Sequence, residues 1–248
     1  MEQQKIVLVT GAGSGIGKAS AIAFSAKGYS VVLAGRHHDK LEQVASACNN
    51  ETLIVESDVA DPESVAHLFK TLNERFERLD VLFNNAGGGS PPRQFDEIPF
   101  EEWQRVINVN LTGTFLCTQA AFGIMKEQSP KGGRIINNGS ISAHVPRPLS
   151  APYTASKHGV TGLTRSTSLD GRPYNIVCSQ IDIGNALTDL TARMAEGVPQ
   201  ADGTSKPEPT MDVQHVADAI VQMTEFPLET NVQFMTIMAT KMPFIGRG

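Results

Sequence analysis

Residues 5–17 read KIVLVTGAGSGIG. An apolar run, Ile6-Val7-Leu8-Val9, leads into glycines at 11, 13, 15 and 17, after which Ala19, Ala21, Ala23 and Phe24 recur at helical spacing. Strand, glycine turn and helix in that order set the N–H groups and the positive dipole end of a helix start against a phosphate. The spacing is not G-x-G-x-x-G, because the third glycine would fall at Ile16 or Lys18. Nor is it the phosphate loop that ends in Gly-Lys-Ser/Thr, since that needs glycine and a hydroxyl where the chain has Ala12 and Ala19. What remains is G-x-x-x-G-x-G over Gly11, Gly15 and Gly17, directly after a strand.

Outward from this turn the pattern alternates. Strands are expected at 30–34, 52–56, 81–83, 134–138, 175–179 and 233–239, and helices at 40–47, 62–76, 100–126, 152–169 and 212–223. Asp61 before Pro62 is a good helix start, an N-cap with proline at the first helical position. Strands alternating with helices predict an α/β fold: a doubly wound (Rossmann) parallel sheet of about seven strands, with helices on both faces. We find no linker or repeat, so residues 1–248 are expected to form one domain. Segment 188–210 has no steady period and reads as a substrate lid. Sheets of this kind bind ligands at the carboxyl ends of their strands, and the polar clusters at 11–17, 57–59, 84–89 and 137–140 each follow a strand.

Composition narrows the partners. A net charge of −5 and a pI near 5.7 argue against nucleic acid or an anionic membrane as the main partner. No apolar run approaches the ~18 residues of a membrane span, and no basic region precedes the first strand. Cys48, Cys117 and Cys178 lie far apart without metal spacing and read as core residues in a reducing compartment, so a cytoplasmic setting is expected. Histidines 37, 38, 67, 144, 158 and 215 show no metal spacing either, and no metal is expected. His144 falls near the expected substrate mouth but receives no catalytic role. Trp103 and Phe100 read as helix packing.

Two clusters carry chemistry. The second strand ends Ala34-Gly35-Arg36-His37-His38, without the acidic residue that holds adenosine ribose hydroxyls in dinucleotide folds. Arg36 instead offers a planar cation suited to a 2′-phosphate, which favours NADP over NAD, although an arginine there can also be simply solvated. Asp58 either meets the adenine or caps a turn. Further on, Tyr153-Thr154-Ala155-Ser156-Lys157 puts a phenol and an ammonium on one helix face. A free tyrosine titrates near ~10, so proton transfer at neutral pH needs about three units, ~4 kcal/mol. An ammonium at ~4 Å supplies up to ~4 kcal/mol in a partly dehydrated site. Ser140 follows the fifth strand, and Asn110 stands mid-helix, where propensity gives asparagine no reason to be.

Taken in order, TGAGSGIG, the NNAG at 84–87, Asn110, Ser140 and YTASK resemble the short-chain dehydrogenase/reductase family over about residues 5–190. The resemblance implies that Tyr153 is the general acid/base at a carbonyl oxygen and that Lys157 lowers its pKa and binds the nicotinamide ribose. It further implies that Ser140 orients the carbonyl and Asn110 holds a water. Ser140 is preferred to Ser142 because it stands thirteen residues before Tyr153, as in the family. The implied cofactor set is Gly11, Ser14, Gly15, Ile16, Gly17, Arg36, Asp58, Val59, Asn85, Ala86, Gly87, Tyr153, Lys157, Gly184 and Thr188.

The chain departs from the family pattern after the sixth strand, where Ile183 replaces the usual proline before Gly184, and in its ending. The apolar tail Met242-Pro243-Phe244-Ile245 is expected to pack on a neighbouring subunit. Family members are commonly tetramers or dimers, so a homo-oligomer joined through the long helix from Phe100 is expected.

The expected function is an NADP-preferring oxidoreductase moving hydride between nicotinamide and a small-molecule ketone or secondary alcohol. A non-catalytic NADP-binding sensor or scaffold, or an epimerase or dehydratase of the same family, is the alternative. The lid residues Leu190, Arg193, Met194, Glu196 and Lys206 form neither an apolar wall for a steroid nor a basic patch for an acyl carrier.

Overall fold

The computed structural model of the chain describes residues 4–188 and 191–245. Leu190 and the side chain of Arg193, both assigned to the lid, lie outside what is described. The strands are β1 (Ile6–Thr10), β2 (Ser30–Gly35), β3 (Thr52–Glu56), β4 (Val81–Asn84), β5 (Gly133–Asn138), β6 (Ile176–Gly184), β7 (Val198–Pro199), β8 (Ser205–Lys206) and β9 (Phe234–Met238). The helices are α1 (Gly15–Ala26), α2 (His38–Ala45), α3 (Pro62–Phe76), α4 (Phe100–Ile107), α5 (Gly113–Glu127), α6 (Ala151–Asp170) and α7 (Val213–Glu225).

Seven strands pair in the order β3-β2-β1-β4-β5-β6-β9, all parallel, and β7 with β8 forms a small antiparallel hairpin. Strand β1 is the pivot: Val7 stands opposite Val31 on one side and Val81 on the other. Its residues alternate between two cores. Val7 and Val9 pack with Ala21 and Phe24 of α1, Leu41 of α2 and Ile220 of α7. Ile6 and Leu8 pack with Leu68 and Leu72 of α3 and Cys117, Ala121 and Met125 of α5. A strand buried on both faces must be apolar throughout, which is why the run before the glycines has no polar alternation. At the start of α3, Asp61 accepts a hydrogen bond from the Glu63 N–H at 3.0 Å, with Pro62 in the first turn as expected. No helix among the described residues is long and apolar enough to cross a membrane.

The structure differs from the sequence reading in three places: one helix, one strand and two aromatic side chains. The helix expected over 100–126 is two helices joined by a π-helical stretch, Asn108–Thr112. The wider turn draws Asn110 into the interior, where it is 1% exposed, while α5 keeps its apolar face on the sheet. Strand β6 runs five residues past the expected 179, because Gln180 to Gly184 continue pairing with β9. Its polar residues Gln180 and Asp182 hide that continuation from a hydrophobic pattern. Met242 of the C-terminal tail packs with Ile141 and Ala239 of its own chain, whereas Ile245 is exposed. Phe100 and Trp103 are exposed rather than packed.

Two glycine substitutions separate conformation from space. A Cβ at Gly17 would lie 2.2 Å from the Gly11 carbonyl oxygen and 2.5 Å from Asn85 Nδ2, whereas one at Gly123, inside α5, meets nothing within 4 Å. Gly17→Ala is expected to break the turn and abolish nucleotide binding in isothermal titration. Gly123→Ala is expected to stabilise the fold by about 1 kcal/mol in thermal melts.

Candidate active site

The sheet's strand order reverses at β1, where β2 leaves on one side and β4 on the other, and a cavity of about 440 Å³ opens at the carboxyl ends there. One wall is the β1–α1 turn. Gly11 and Gly15 have φ of +64° and +51°, a conformation that residues with a side chain rarely adopt. Ser14, the residue before α1, is extended and its side chain makes no capping bond, so the first-turn N–H groups remain without intrahelical acceptors. Gly11, Ser14, Gly15 and Ile16 line the cavity; Gly17 sits behind, pressed against Gly11 and Asn85. Thr188 lies over Gly15, its Cγ2 3.2 Å from where a Cβ would be. Gly184, with Met242 packed behind it, closes the opposite side.

The nucleotide end of the cavity is cationic. Arg36, exposed at the tip of β2, lines it together with His37 and Lys40, and its guanidinium has no hydrogen bond or ion pair among the described residues. Lys40 was not anticipated from sequence, because its helix start hides its proximity to Gly13. Among the described lining residues Asp58 is the one carboxylate, and it also accepts a hydrogen bond from the Ala60 N–H at 2.9 Å, so it both caps a turn and faces the cavity. Val59, beside it, lines the cavity too.

At the other end stand Ser140, Tyr153 and Lys157. Ser140 Oγ accepts the Ser142 N–H at 3.1 Å, and Ser140 lines the same cavity as Tyr153. Lys157 Nζ donates to the Asn138 carbonyl at 2.6 Å and lies 5.6 Å from the centre of the Tyr153 ring, over its face. Burial pulls the Lys157 ammonium down to about 8, while Asp182 pulls the other way, so it remains mostly charged at neutral pH. The Tyr153 phenol is not lowered as expected. Burial holds it above its ordinary value, partly opposed by the Ser140 hydrogen bond and the Arg147 charge.

Asn110 and Asn85 are spoken for by protein groups. Asn110 Nδ2 donates to the Gly88 carbonyl and Ser156 Oγ, both at 3.0 Å, and its Oδ1 accepts the Gly88 N–H at 2.8 Å, which moulds the loop containing Ala86 and Gly87. Asn85 Nδ2 donates to the Thr10 carbonyl at 3.0 Å, and its Oδ1 accepts from Asn138 Nδ2 at 2.9 Å. His144 does not line the cavity; its Nε2 is 2.7 Å from Asp182 Oδ2. His38, Asp39 and Glu42 bring ligand atoms within 4.8 Å of one another on the exposed start of α2. An exposed acidic group of this kind is not evidence of a metal.

Sequence reasoning missed a buried ion pair beside the site. Arg147 donates to both Glu208 oxygens, at 2.6 and 2.5 Å, and to Asn185 Oδ1 at 2.8 Å. Burial raises the Glu208 carboxyl, but hydrogen bonds from Arg147, Gln200 and Asn185 outweigh it and hold it at about 2. The two residues are 61 apart in sequence, and no local pattern joins them. This pair ties segment 188–210 to the loop that precedes Tyr153. That segment holds the β7–β8 hairpin and a short 3-10 turn, Ala192–Ala195, from which Met194 reaches the cavity.

Comparison with known proteins bears on the family and the fold. The family model "short chain dehydrogenase" matches residues 5–198. A 3-oxoacyl-[acyl-carrier-protein] reductase of Synechocystis is 37% identical over 194 residues, 77% of each chain. A 3beta-hydroxysteroid dehydrogenase of Mediterraneibacter gnavus is 34% identical over 198 residues, 79% of this chain and 71% of that one. Among solved structures, an alcohol dehydrogenase from Thermococcus sibiricus complexed with 5-hydroxy-NADP superposes with a TM-score of 0.84 at 25% identity, covering 97% of this chain and 99% of that one. The chain belongs to the short-chain dehydrogenase/reductase family and is an NAD(P)-dependent oxidoreductase.

Replacing Glu208 with Gln leaves the Arg147 charge without its counter-charge. We expect a loss of about 3–5 kcal/mol in chemical denaturation and faster proteolytic nicking within 198–206. Unchanged stability and unchanged nicking would mean that the pair does not secure this segment.

Proposed function

We propose that this enzyme is an NADP-preferring reductase of small polar ketones, acting reversibly on the corresponding secondary alcohols. The observation that carries this reading is the convergence of the Ser140 hydroxyl, the Tyr153 phenol and the Lys157 ammonium on one cavity whose far end carries Arg36 and Lys40. The residues fit a dinucleotide. First-turn N–H groups of α1 and the tight Gly11–Gly17 turn would take the pyrophosphate, Asp58 and Val59 the adenine, and Arg36 with Lys40 a 2′-phosphate. Asn85, Ala86, Gly87, Gly184 and Thr188 would flank the nicotinamide half.

When bound, NADPH supplies the hydride. The chain supplies the rest. Ser140 donates to the substrate carbonyl oxygen, and Tyr153 delivers the proton to that oxygen as charge develops on it. A phenol held above its ordinary pKa is protonated at neutral pH, which suits the reductive direction. Lys157 provides positive charge beneath the ring and would meet the ribose. Around the carbonyl position, Ser142, Ser150, Asn185 and Arg147 stand beside apolar Ile141, Ile183 and Met194, and the four polar groups are what we take to suit a small polar substrate. Exposed Phe100, Trp103 and Phe115 on α4 and α5 support a homo-oligomer, a dimer or tetramer, closed through these helices. We place the enzyme in the cytoplasm.

The test is turnover of a panel (acetoin, 2,3-butanedione, cyclohexanone, a 3-oxoacyl thioester and a 3-oxosteroid) with NADPH and with NADH. Reduction of a small ketone with NADPH, lost at least about 100-fold in Tyr153→Phe with NADPH still bound, is the expected result. Arg36→Asp should shift the NADPH/NADH preference toward NADH by about 10-fold or more, as expected for one charge-assisted phosphate contact. Full activity in Tyr153→Phe, or an unchanged preference in Arg36→Asp, would overturn the respective assignment.

A further inference from the structure

We infer that Asp182 is a positioning residue for Ser140: its buried carboxylate fixes the serine backbone so that the hydroxyl proton points into the cavity. The inference rests on the reductase reading of the site.

Asp182 is 1% exposed, near the carboxyl end of β6, directly behind the serine. A carboxylate removed from water costs several kcal/mol unless both oxygens are well bonded. Here they are. Oδ1 accepts the Ser140 N–H at 3.0 Å and Gln180 Nε2 at 2.7 Å, and Oδ2 meets His144 Nε2 at 2.7 Å. His144 is partly exposed, so its ring forms the outer cover of the carboxylate. The chain is moulded to this group on the inner side as well. A Cβ on Gly139 would stand 2.1 Å from Asp182 Oδ1, so only glycine lets the loop pass there.

The consequence falls on the Ser140 hydroxyl. Its backbone N–H is held by Asp182, and its Oγ already accepts the Ser142 N–H. The remaining direction for the hydroxyl proton is outward, into the cavity that Tyr153 also lines. Without the carboxylate, the Ser140 N–H and the Gln180 amide lose their shared acceptor, and the serine can turn away from the donor geometry a carbonyl oxygen needs. The acceptor geometry at Oδ1 does this work, so an asparagine, which keeps that oxygen, should do it too.

A double-mutant cycle with the best-reduced ketone of the panel tests this at a fixed pH. Asp182→Ala is expected to lower kcat at least tenfold, with NADPH affinity within twofold of wild type. Asp182→Asn should restore at least a third of the wild-type kcat. In a Ser140→Ala background, Asp182→Ala should cost at least threefold less than it does in the wild type, the remaining loss being that of the charge that sustains the Lys157 ammonium. Should Asp182→Ala not fold, Gly139→Ala serves, since its added Cβ displaces the Asp182 Oδ1 acceptor instead of removing it and should show the same dependence on Ser140. Equal losses in both backgrounds, or an Asp182→Asn variant as impaired as Asp182→Ala, would overturn the inference. A wild-type enzyme inactive on the whole panel, or an active Tyr153→Phe, would instead remove the reductase reading and this inference with it.

Discussion

Polar groups buried where strands end must find partners, and at this sheet edge they find each other. The Lys157 ammonium, 5% exposed, is held by the Asn138 carbonyl; the Asn138 amide holds Asn85; and Asn85 holds the carbonyls of Thr10 and Gly11. The Thr10 hydroxyl in turn accepts the N–H groups of Asn85 and Ala86. One hydrogen-bonded chain therefore runs from the glycine turn, across the ends of β1, β4 and β5, to the helix that carries Tyr153. Leaving any member unpaired would cost about 1–3 kcal/mol, so the network fixes the two halves of the cavity relative to each other.

A second set of polar residues holds the loop between Ser140 and Tyr153. Asp182 grips its beginning through the Ser140 N–H and His144, and Glu208 grips its later part through Arg147. The two carboxylates come from different elements, β6 and the segment after the β7–β8 hairpin. Between them they place the serine and tyrosine hydroxyls on the same opening. Rigid support of this kind is what a proton donor and a hydrogen-bond donor need if they are to meet one oxygen atom together.

The fold was legible because it is written in local signals. A fully apolar β1, glycines where the backbone turns left-handed, and Asp61-Pro62 at a helix start each act over a few residues. The Tyr153/Lys157 pair was legible for the same reason, since four residues on a helix share a face. The π-helical turn at Asn110 was not, because it is imposed by a loop 22 residues away through Gly88. Nor were the carboxylates. Asp182 interrupts the apolar pattern of β6, which shortened that strand in the sequence reading, and its partner His144 lies 38 residues earlier. The lowered phenol expected from Lys157 assumed an ammonium beside the oxygen, whereas the structure sets it over the ring and lets burial dominate.

Isotope transfer measures most directly whether hydride passes from nicotinamide to a carbonyl carbon in this cavity. NADPH carrying deuterium at both C4 positions would be incubated with enzyme and the ketone it reduces, and the alcohol analysed by mass spectrometry. The expected product is an alcohol one mass unit heavier, with the deuterium on the carbinol carbon. Unlabelled alcohol, or deuterium lost to water, would contradict it.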